Sequence, residues 1–339
     1  MNVAVVGATG QVGGVMLRLL KERSFPVKNL RVMASTRSAG RTIIWADETY
    51  EIEDAATANY KGIDIALFSA GKDASKQLAP KVTAAGAIMI DNSSAWRMDP
   101  KVPLVVPEVN AHALHNLNKG IVANPNCTTM VAMPVLKPLS QAAGLQRVIY
   151  TSYQAVSGGG LAGVAELDEQ VRQIANKAVD LTYDNNTTSF PKPSVFAAPI
   201  AFNVIPECGT RLDDDSNETS EERKLAEESR KILELPDLLV SATCARVPVF
   251  TGHCLAINTE FDAPIEPEQA HHVLAKAEGV SMNNLPTPLA ATGIDKTLVG
   301  RIRVDPTVKN GLALFLAGDN LRKGAALNAI QIAEALITA

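Results

Sequence analysis

Asn2-Val3-Ala4-Val5-Val6 runs straight into Gly7-Ala8-Thr9-Gly10-Gln11-Val12-Gly13, and an amphipathic pattern follows to about Glu22. Few folds accommodate an apolar strand, a tight glycine turn and a helix in immediate succession. The G-x-x-G-x-x-G spacing is a variant of the dinucleotide fingerprint, in which small residues let the backbone approach a pyrophosphate at the helix N-terminus. The flanking strand and helix distinguish this reading from a mere tight turn.

The second strand, Asn29 to Ala34, is expected to end where an acidic residue would hold the ribose 2′-hydroxyl of NAD. It runs instead into Ser35-Thr36-Arg37-Ser38-Ala39-Gly40. No carboxylate stands in that stretch, and an arginine among hydroxyls suits a 2′-phosphate. NADP is therefore the expected cofactor; the alternative is a solvated loop arginine. Apolar runs over 63–68 and 87–90, with a helical pattern over 73–85 between them, continue the β/α alternation of a doubly wound parallel sheet. Ligands of such sheets lie at the carboxyl ends of the strands. Ser69-Ala70-Gly71, Asp91-Asn92-Ser93-Ser94 and a turn around Cys127 all fall there.

That turn reads Asn124-Pro125-Asn126-Cys127-Thr128-Thr129, between a short apolar strand over 120–123 and a helix expected from Thr128 to Leu139. Pro134 and Pro138 are expected to kink the helix. Free N–H groups and the helix dipole at an N-terminus favour an anion, and can bring a thiol from about 8.5 down to roughly 3.5–7.5. A free cysteine is otherwise commonly a core residue. Polar neighbours on both sides argue against a purely apolar pocket here.

Past about residue 145 the texture changes to longer strands, over 147–156, 238–249 and 255–261, with helices over 162–178, 220–233 and 267–278. A further strand is expected over 310–316. This reads as an α+β domain with a mixed sheet. A last helix, over 321–337, is expected to pack back onto the first domain. The expected boundaries are 1–128, 129–319 and 320–339. With 339 residues, 46% apolar and 20% charged, the chain has ample material for two cores. A net charge of -4 offers no basic field for nucleic acid or an anionic membrane. No apolar run approaches the roughly 18 residues of a membrane span, and no charged leader precedes the first strand. A cytoplasmic protein acting on small molecules is expected. The four cysteines show no CxxC pairing, so free thiols are expected and no metal site.

A thiolate nucleophile needs a proton partner and groups that bind its substrate. Arg246 and His253 flank a predicted turn near Gly252, which allows both to face one cleft, although an isolated histidine is more often structural. Glu221 and Lys224 share one helix face and equally read as a surface ion pair. Arg97 follows Ser93-Ser94-Ala95-Trp96 at a sheet rim. Gln154 precedes Val156-Ser157-Gly158-Gly159-Gly160, a run flexible enough to lie against a cofactor.

Gly7-Ala-Thr-Gly-Gln-Val-Gly13, Asn124-Pro-Asn-Cys-Thr-Thr129, Gln154-Ala-Val-Ser-Gly-Gly159, and Arg246 with His253 seven residues on, together resemble the aspartate-semialdehyde dehydrogenases, in order and over essentially the whole chain. The resemblance implies a Rossmann-type first domain. It implies Cys127 as nucleophile, His253 as acid/base and Gln154 as orienting residue. Arg246 would bind the substrate carboxylate and Glu221 its ammonium, with Asn126 beside them. Arg97 and Lys224 would form the phosphate site. NADP would be held by Gly7, Thr9, Gly10, Gln11, Val12 and Gly13, by Ser35, Arg37 and Ser38, and by Ser157, Gly158 and Asn320, where other members carry glutamine. The implied reaction is NADPH-dependent reductive dephosphorylation of β-aspartyl phosphate through a cysteine thioester. It belongs to the synthesis of lysine through diaminopimelate, methionine, threonine and isoleucine. A homodimer or homotetramer built on the second domain is implied. N-acetyl-glutamyl-phosphate reductases are the nearest rival, but Asn126 and Glu221 weigh against them.

Overall fold

The computed structural model of the chain describes residues 1–187 and 189–338. The chain divides into two units. The first comprises Met1–Lys137, Glu227–Asp237 and Leu321–Ala339; the second comprises Pro138–Ala226 and Leu238–Asn320.

In the first unit β1 (Asn2–Val6), β2 (Asn29–Ala34), β5 (Glu53–Asp54), β6 (Ile65–Phe68), β7 (Ile88–Asp91) and β8 (Ile121–Ala123) form one sheet in the order β5-β2-β1-β6-β7-β8. Every pairing in it is parallel. The central strands are buried along their length, as expected where both faces of a parallel sheet are covered. Helices α1 (Gln11–Glu22) and α2 (Lys72–Ala84) are the crossovers. The short α3 (Pro107–Asn110) precedes β8. β3 (Thr42–Trp45) and β4 (Glu48–Glu51) form a hairpin not read from the sequence, docked on α1 by a bond from Trp45 Nε1 to the Leu17 carbonyl (2.6 Å).

The helix carrying Cys127, α4, runs from Cys127 to Ala143 with both prolines inside it. Met130 to Met133, Val135, Leu136 and Leu139 are all fully buried, so packing on every side compensates the lost hydrogen bonds. The C-terminal segment is not one regular helix. A π turn, Arg322–Ala326, precedes α9 (Leu327–Thr338). The apolar side of α9 (Leu327, Ile330, Ile332) joins the same core as Val3, Val5, Leu19 and Leu67, so the tail does return to the first unit.

The second unit holds β9 (Leu145–Gln154), β10 (Leu239–Arg246), β11 (His253–Phe261), β12 (Val280–Met282), β13 (Thr297–Val304) and β14 (Gly311–Gly318), ordered β10-β9-β11-β14-β13-β12. The sheet is mixed: β9 and β10 are parallel, while β11 is antiparallel to both β9 and β14. Helices α5 (Gly160–Ile174), α7 (Pro267–Ala275) and the short α8 (Pro288–Ala291) complete it. Helix α6 (Ser220–Leu233) begins in the second unit and ends in the first. In this division 129–137 and 227–237 belong with the first unit, and α6 shows no break in its pattern where it passes from one unit to the other. Within the segment 192–210, residues 194–201 are held by buried side chains of α5. Glu166 accepts from Ser194 and Val195, and Gln170 from Ile200 and Ala201. Among the described residues no helix is long and apolar enough to cross a membrane.

Candidate active site

At the carboxyl end of β1, the Gly7 and Ala8 amides donate to the Met33 carbonyl (2.8 and 3.1 Å) and the Gly10 amide to Gly7 O (2.9 Å). Gly7 has φ +89, and a Cβ on it would lie 2.2 Å from the Ser69 carbonyl oxygen. A Cβ on Gly13 would lie 2.2 Å from Gly7 O. Neither position admits a side chain, so the turn is closed tightly against β6 and α1, leaving its backbone bare. Beside it opens a cavity of about 430 Å³ lined by Gly7, Thr9, Gly10, Ser35, Thr36 and Arg37 among others. Gln11, Val12 and Gly13 lie in the first turn of α1, and Ser38 closes the 3-10 turn after β2, outside that lining. One lining residue missed from the sequence is Asp54 on β5, which accepts from Thr36 Oγ1 (2.9 Å) and the Ala56 amide (3.0 Å). The stretch after β2 indeed has no carboxylate, but the sheet edge brings one to the same cavity.

Cys127 is the first residue of α4 and partly exposed. Asn126 accepts the Thr128 amide on Oδ1 (3.0 Å), an N-cap that leaves the sulfur at the start of the dipole. The turn is gripped from several sides. The Asn126 amide donates to Glu228 Oε2 (2.6 Å), and Arg97 donates through Nε to Asn124 O (2.9 Å) and through Nη2 to Asn92 O (2.7 Å). Arg97 Nη1 meets Glu228 Oε1 at 3.0 Å, and both side chains are buried. Arg97 is therefore a paired, fixed cation beside the Cys127 turn. Glu228 was not singled out from sequence, although a carboxylate between Leu225 and Ile232 in the apolar stripe of α6 was the signal available. Gly324 was missed as well: a Cβ there would lie 3.1 Å from Cys127 Cβ.

In the second unit, the β9–β10 register pairs Gln154 with Arg246, and β11 starts at His253 beside them. Gly252, at φ +100, makes the turn between them against the Pro288 backbone. His253 is fully buried. Its Nδ1 accepts the Ala155 amide (3.0 Å), so the hydrogen of the neutral ring sits on Nε2, which has no hydrogen-bond partner. Burial first, and the Arg246 charge second, push His253 down to about 3, with Glu221 opposing. Arg246 donates to Ala155 O (2.8 Å), lies 5.6 Å from the centre of the Phe196 ring, and keeps a buried Nε without a partner. Two orphaned donors in one buried place are a costly arrangement unless a ligand accepts from them. Gly158 borders both: a Cβ on it would lie 2.7 Å from Arg246 Nη1 and 3.3 Å from His253 Nε2. Gln154 is buried and donates to Ser152 Oγ (3.2 Å).

Asn320 accepts the Gly252 amide on Oδ1 (2.8 Å) and donates from Nδ2 to Ser157 Oγ (2.8 Å), tying the glycine run to the Arg246–His253 turn. Glu221 and Lys224 form an ion pair at 2.6 Å on one face of α6, with side chains 12% and 28% exposed. This pair is more enclosed than an ordinary surface bridge.

Residues 2–117 match a family profile described as the semialdehyde dehydrogenase NAD binding domain, and residues 136–323 match the dimerisation domain of the semialdehyde dehydrogenases. An aspartate-semialdehyde dehydrogenase of Streptomyces akiyoshiensis is 59% identical over 334 residues, covering 98% of each chain. The aspartate-semialdehyde dehydrogenase of Aquifex aeolicus is 45% identical, over 99% of this chain and 98% of its own. The crystal structure of aspartate semialdehyde dehydrogenase II from Vibrio cholerae complexed with ASA superposes with a TM-score of 0.93. It is 41% identical to this chain and covers 99% of it and 98% of its own length.

Proposed function

The chain belongs to the aspartate-semialdehyde dehydrogenase family of oxidoreductases, and on that premise we propose that it reduces L-aspartyl-4-phosphate to L-aspartate 4-semialdehyde with NADPH, through a thioester on Cys127. The observation that carries the site assignment is the pair of buried, unpartnered donors, Arg246 Nε and His253 Nε2. An amino-acid carboxylate satisfies the first and the carbonyl oxygen under attack satisfies the second.

In this reading the Cys127 thiolate, favoured at the N-terminus of α4, attacks the acyl carbon. The carbon–oxygen bond to phosphate breaks and phosphate departs toward Arg97 and Lys224. A nicotinamide cofactor, when bound, supplies hydride to the thioester carbon. His253 Nε2–H donates to the oxygen that becomes negative, and the thiohemiacetal then collapses to aldehyde and free thiolate. Gln154 and Asn126 orient the substrate, and Glu221 accepts from its ammonium. An anionic substrate on Arg246 removes a charge that holds His253 low, and so prepares the ring to carry a proton. The test is phosphate-dependent formation of NADPH from the semialdehyde and NADP. A reaction indifferent to phosphate contradicts the proposal.

The bare Gly7–Gly13 turn and its cavity fit a dinucleotide, and Arg37 on the cavity wall fits a 2′-phosphate. Arg37→Ala is expected to raise the KM for NADP by about 10–100-fold, the loss of a charge-assisted hydrogen bond, and to leave that for NAD nearly unchanged. Equal losses with both cofactors would remove Arg37 from the phosphate site and leave Asp54 as the ribose partner.

We also propose self-association through the second unit. Thr243, Thr151, Ala256 and Phe315 lie in register across β10, β9, β11 and β14 on the sheet face opposite to Tyr150 and Leu255, and each is at least partly exposed. A four-strand row of small and apolar side chains is suited to a second copy. Sedimentation is expected to give at least twice the mass of one chain, and a monomer at assay concentration would exclude this.

A further inference from the structure

The mechanism above does not use the buried cation Lys323. Lys323 is fully buried in the π turn Arg322–Ala326, a geometry that is rare and concentrated at functional sites. Its ammonium has three hydrogens, and three acceptors meet it: Glu108 Oε2 (2.6 Å), Asn328 Oδ1 (2.8 Å) and Gln331 Oε1 (2.9 Å). Glu108 is equally enclosed, with a side chain 3% exposed, and also accepts from Gln331 Nε2 (2.8 Å). Burial alone would raise the Glu108 carboxyl, but Lys323 beside it holds it below the usual value.

The acceptors lead to the nucleophile. Asn328 Nδ2 donates to Val105 O (2.8 Å) and to Asn124 Oδ1 (2.6 Å); Asn124 Nδ2 in turn donates to Ala325 O (2.9 Å). These three bonds, from Lys323 to Asn328, Asn328 to Asn124 and Asn124 to Ala325, form a ring that the backbone closes through Gly324. A Cβ on Gly324 would lie 3.1 Å from Cys127 Cβ and 3.2 Å from Cys127 O. The backbone of the π turn is thus the surface on which the Cys127 turn rests, and Asn124 is held three residues before the sulfur.

We propose that Lys323 is a positioning residue for Cys127, anchoring the π turn that fixes the nucleophile's place at the start of α4. The adjacent Glu108 cancels its charge, so the contribution is geometric rather than a field on the thiol. The C-terminal segment therefore sets the reactive geometry of a residue far away in the sequence. This inference rests on Cys127 being the nucleophile.

The experiment separates position from stability. Lys323→Met alone leaves Glu108 buried without its cation and is expected to destabilise the chain. Lys323→Met/Glu108→Met removes both charges, and its melting temperature should recover toward that of the wild type. The double variant should nevertheless lose about 10²-fold in kcat, the scale of a displacement of about 1 Å at a reacting atom, with the KM for NADP changed less than about threefold. Gly324→Ala, which alters no charge, should lose kcat in the same way with the same unchanged KM. A folded double variant, or a folded Gly324→Ala, with kcat within about threefold of wild type overturns the proposal. Cys127→Ala assayed alongside keeps the two readings apart. If it is inactive while the Lys323 and Gly324 variants are normal, only the positioning role fails; if it retains turnover, the nucleophile assignment itself fails.

Discussion

Cys127→Ala should abolish turnover while the protein folds and binds NADP as before. The sulfur is partly exposed at the first residue of α4, and the neighbouring contacts are made by other groups: Asn126 caps the helix, and Glu228 and Arg97 hold the turn. Replacing the thiol by hydrogen removes the sulfur and its 3.9 Å contact with Thr128 Oγ1, and leaves the bonds made by Asn126, Glu228 and Arg97 in place. The cavity beside the Gly7–Gly13 turn, where the dinucleotide is proposed to bind, does not have Cys127 in its lining. Residual turnover above the background reaction would mean that another group forms the covalent bond. The remaining cysteines are poor substitutes. Cys208, Cys244 and Cys254 are buried, and burial drives Cys244 and Cys254 up to about 12.

The next largest effect is expected at His253. His253→Gln should lose about 10²–10⁴-fold in kcat, the range of a missing acid/base, while retaining both substrates. The ring sits at about 3 in the free protein, held there by burial and Arg246. It is therefore neutral across the working range, and no ionisation of His253 should appear in kcat/KM between about pH 5 and pH 8. The stability consequence has a definite sign. In the unfolded chain a histidine takes a proton near about 6.5, whereas in the fold this one resists until about 3. Between those values the unfolded state binds more protons, so the stability tied to neutral His253 is complete above about 6.5 and is lost as pH falls toward 3. Relative to the wild type, His253→Gln should lose less stability on acidification through that window. Near-normal kcat in this variant, or identical acid sensitivity, contradicts the role.

Much of this was written in the sequence because the relevant signals are local. Gly7 to Gly13 and the strand before it specify a turn through backbone geometry alone, and the structure has β1 and α1 at the expected residues. The Asn126-Cys127 junction is likewise local, since a cap and the residue it exposes are neighbours. Arg246 and His253 were legible as two residues flanking one turn, although their burial was not. What escaped was long-range. Glu228 reaches Arg97 and Asn126 only after α6 crosses from one unit to the other. Asp54 reaches the cavity beside the Gly7–Gly13 turn because the short β5 pairs with the end of β2. Lys323 has no local mark, being one basic residue near the start of an Ala/Leu-rich stretch. A π turn has no pattern of apolar spacing to announce it, and nothing in the order of residues places Gly324 against Cys127.

The central claim is that an acyl group passes through the sulfur of Cys127. Its most direct test is to mix the protein with β-aspartyl phosphate in the absence of NADPH, quench in acid, digest, and measure peptide masses. The account predicts an aspartyl adduct on the peptide containing Cys127, formed with release of phosphate and discharged when NADPH is added before the quench. An adduct confined to the peptide of Cys254, or turnover with no adduct on any cysteine, would contradict it.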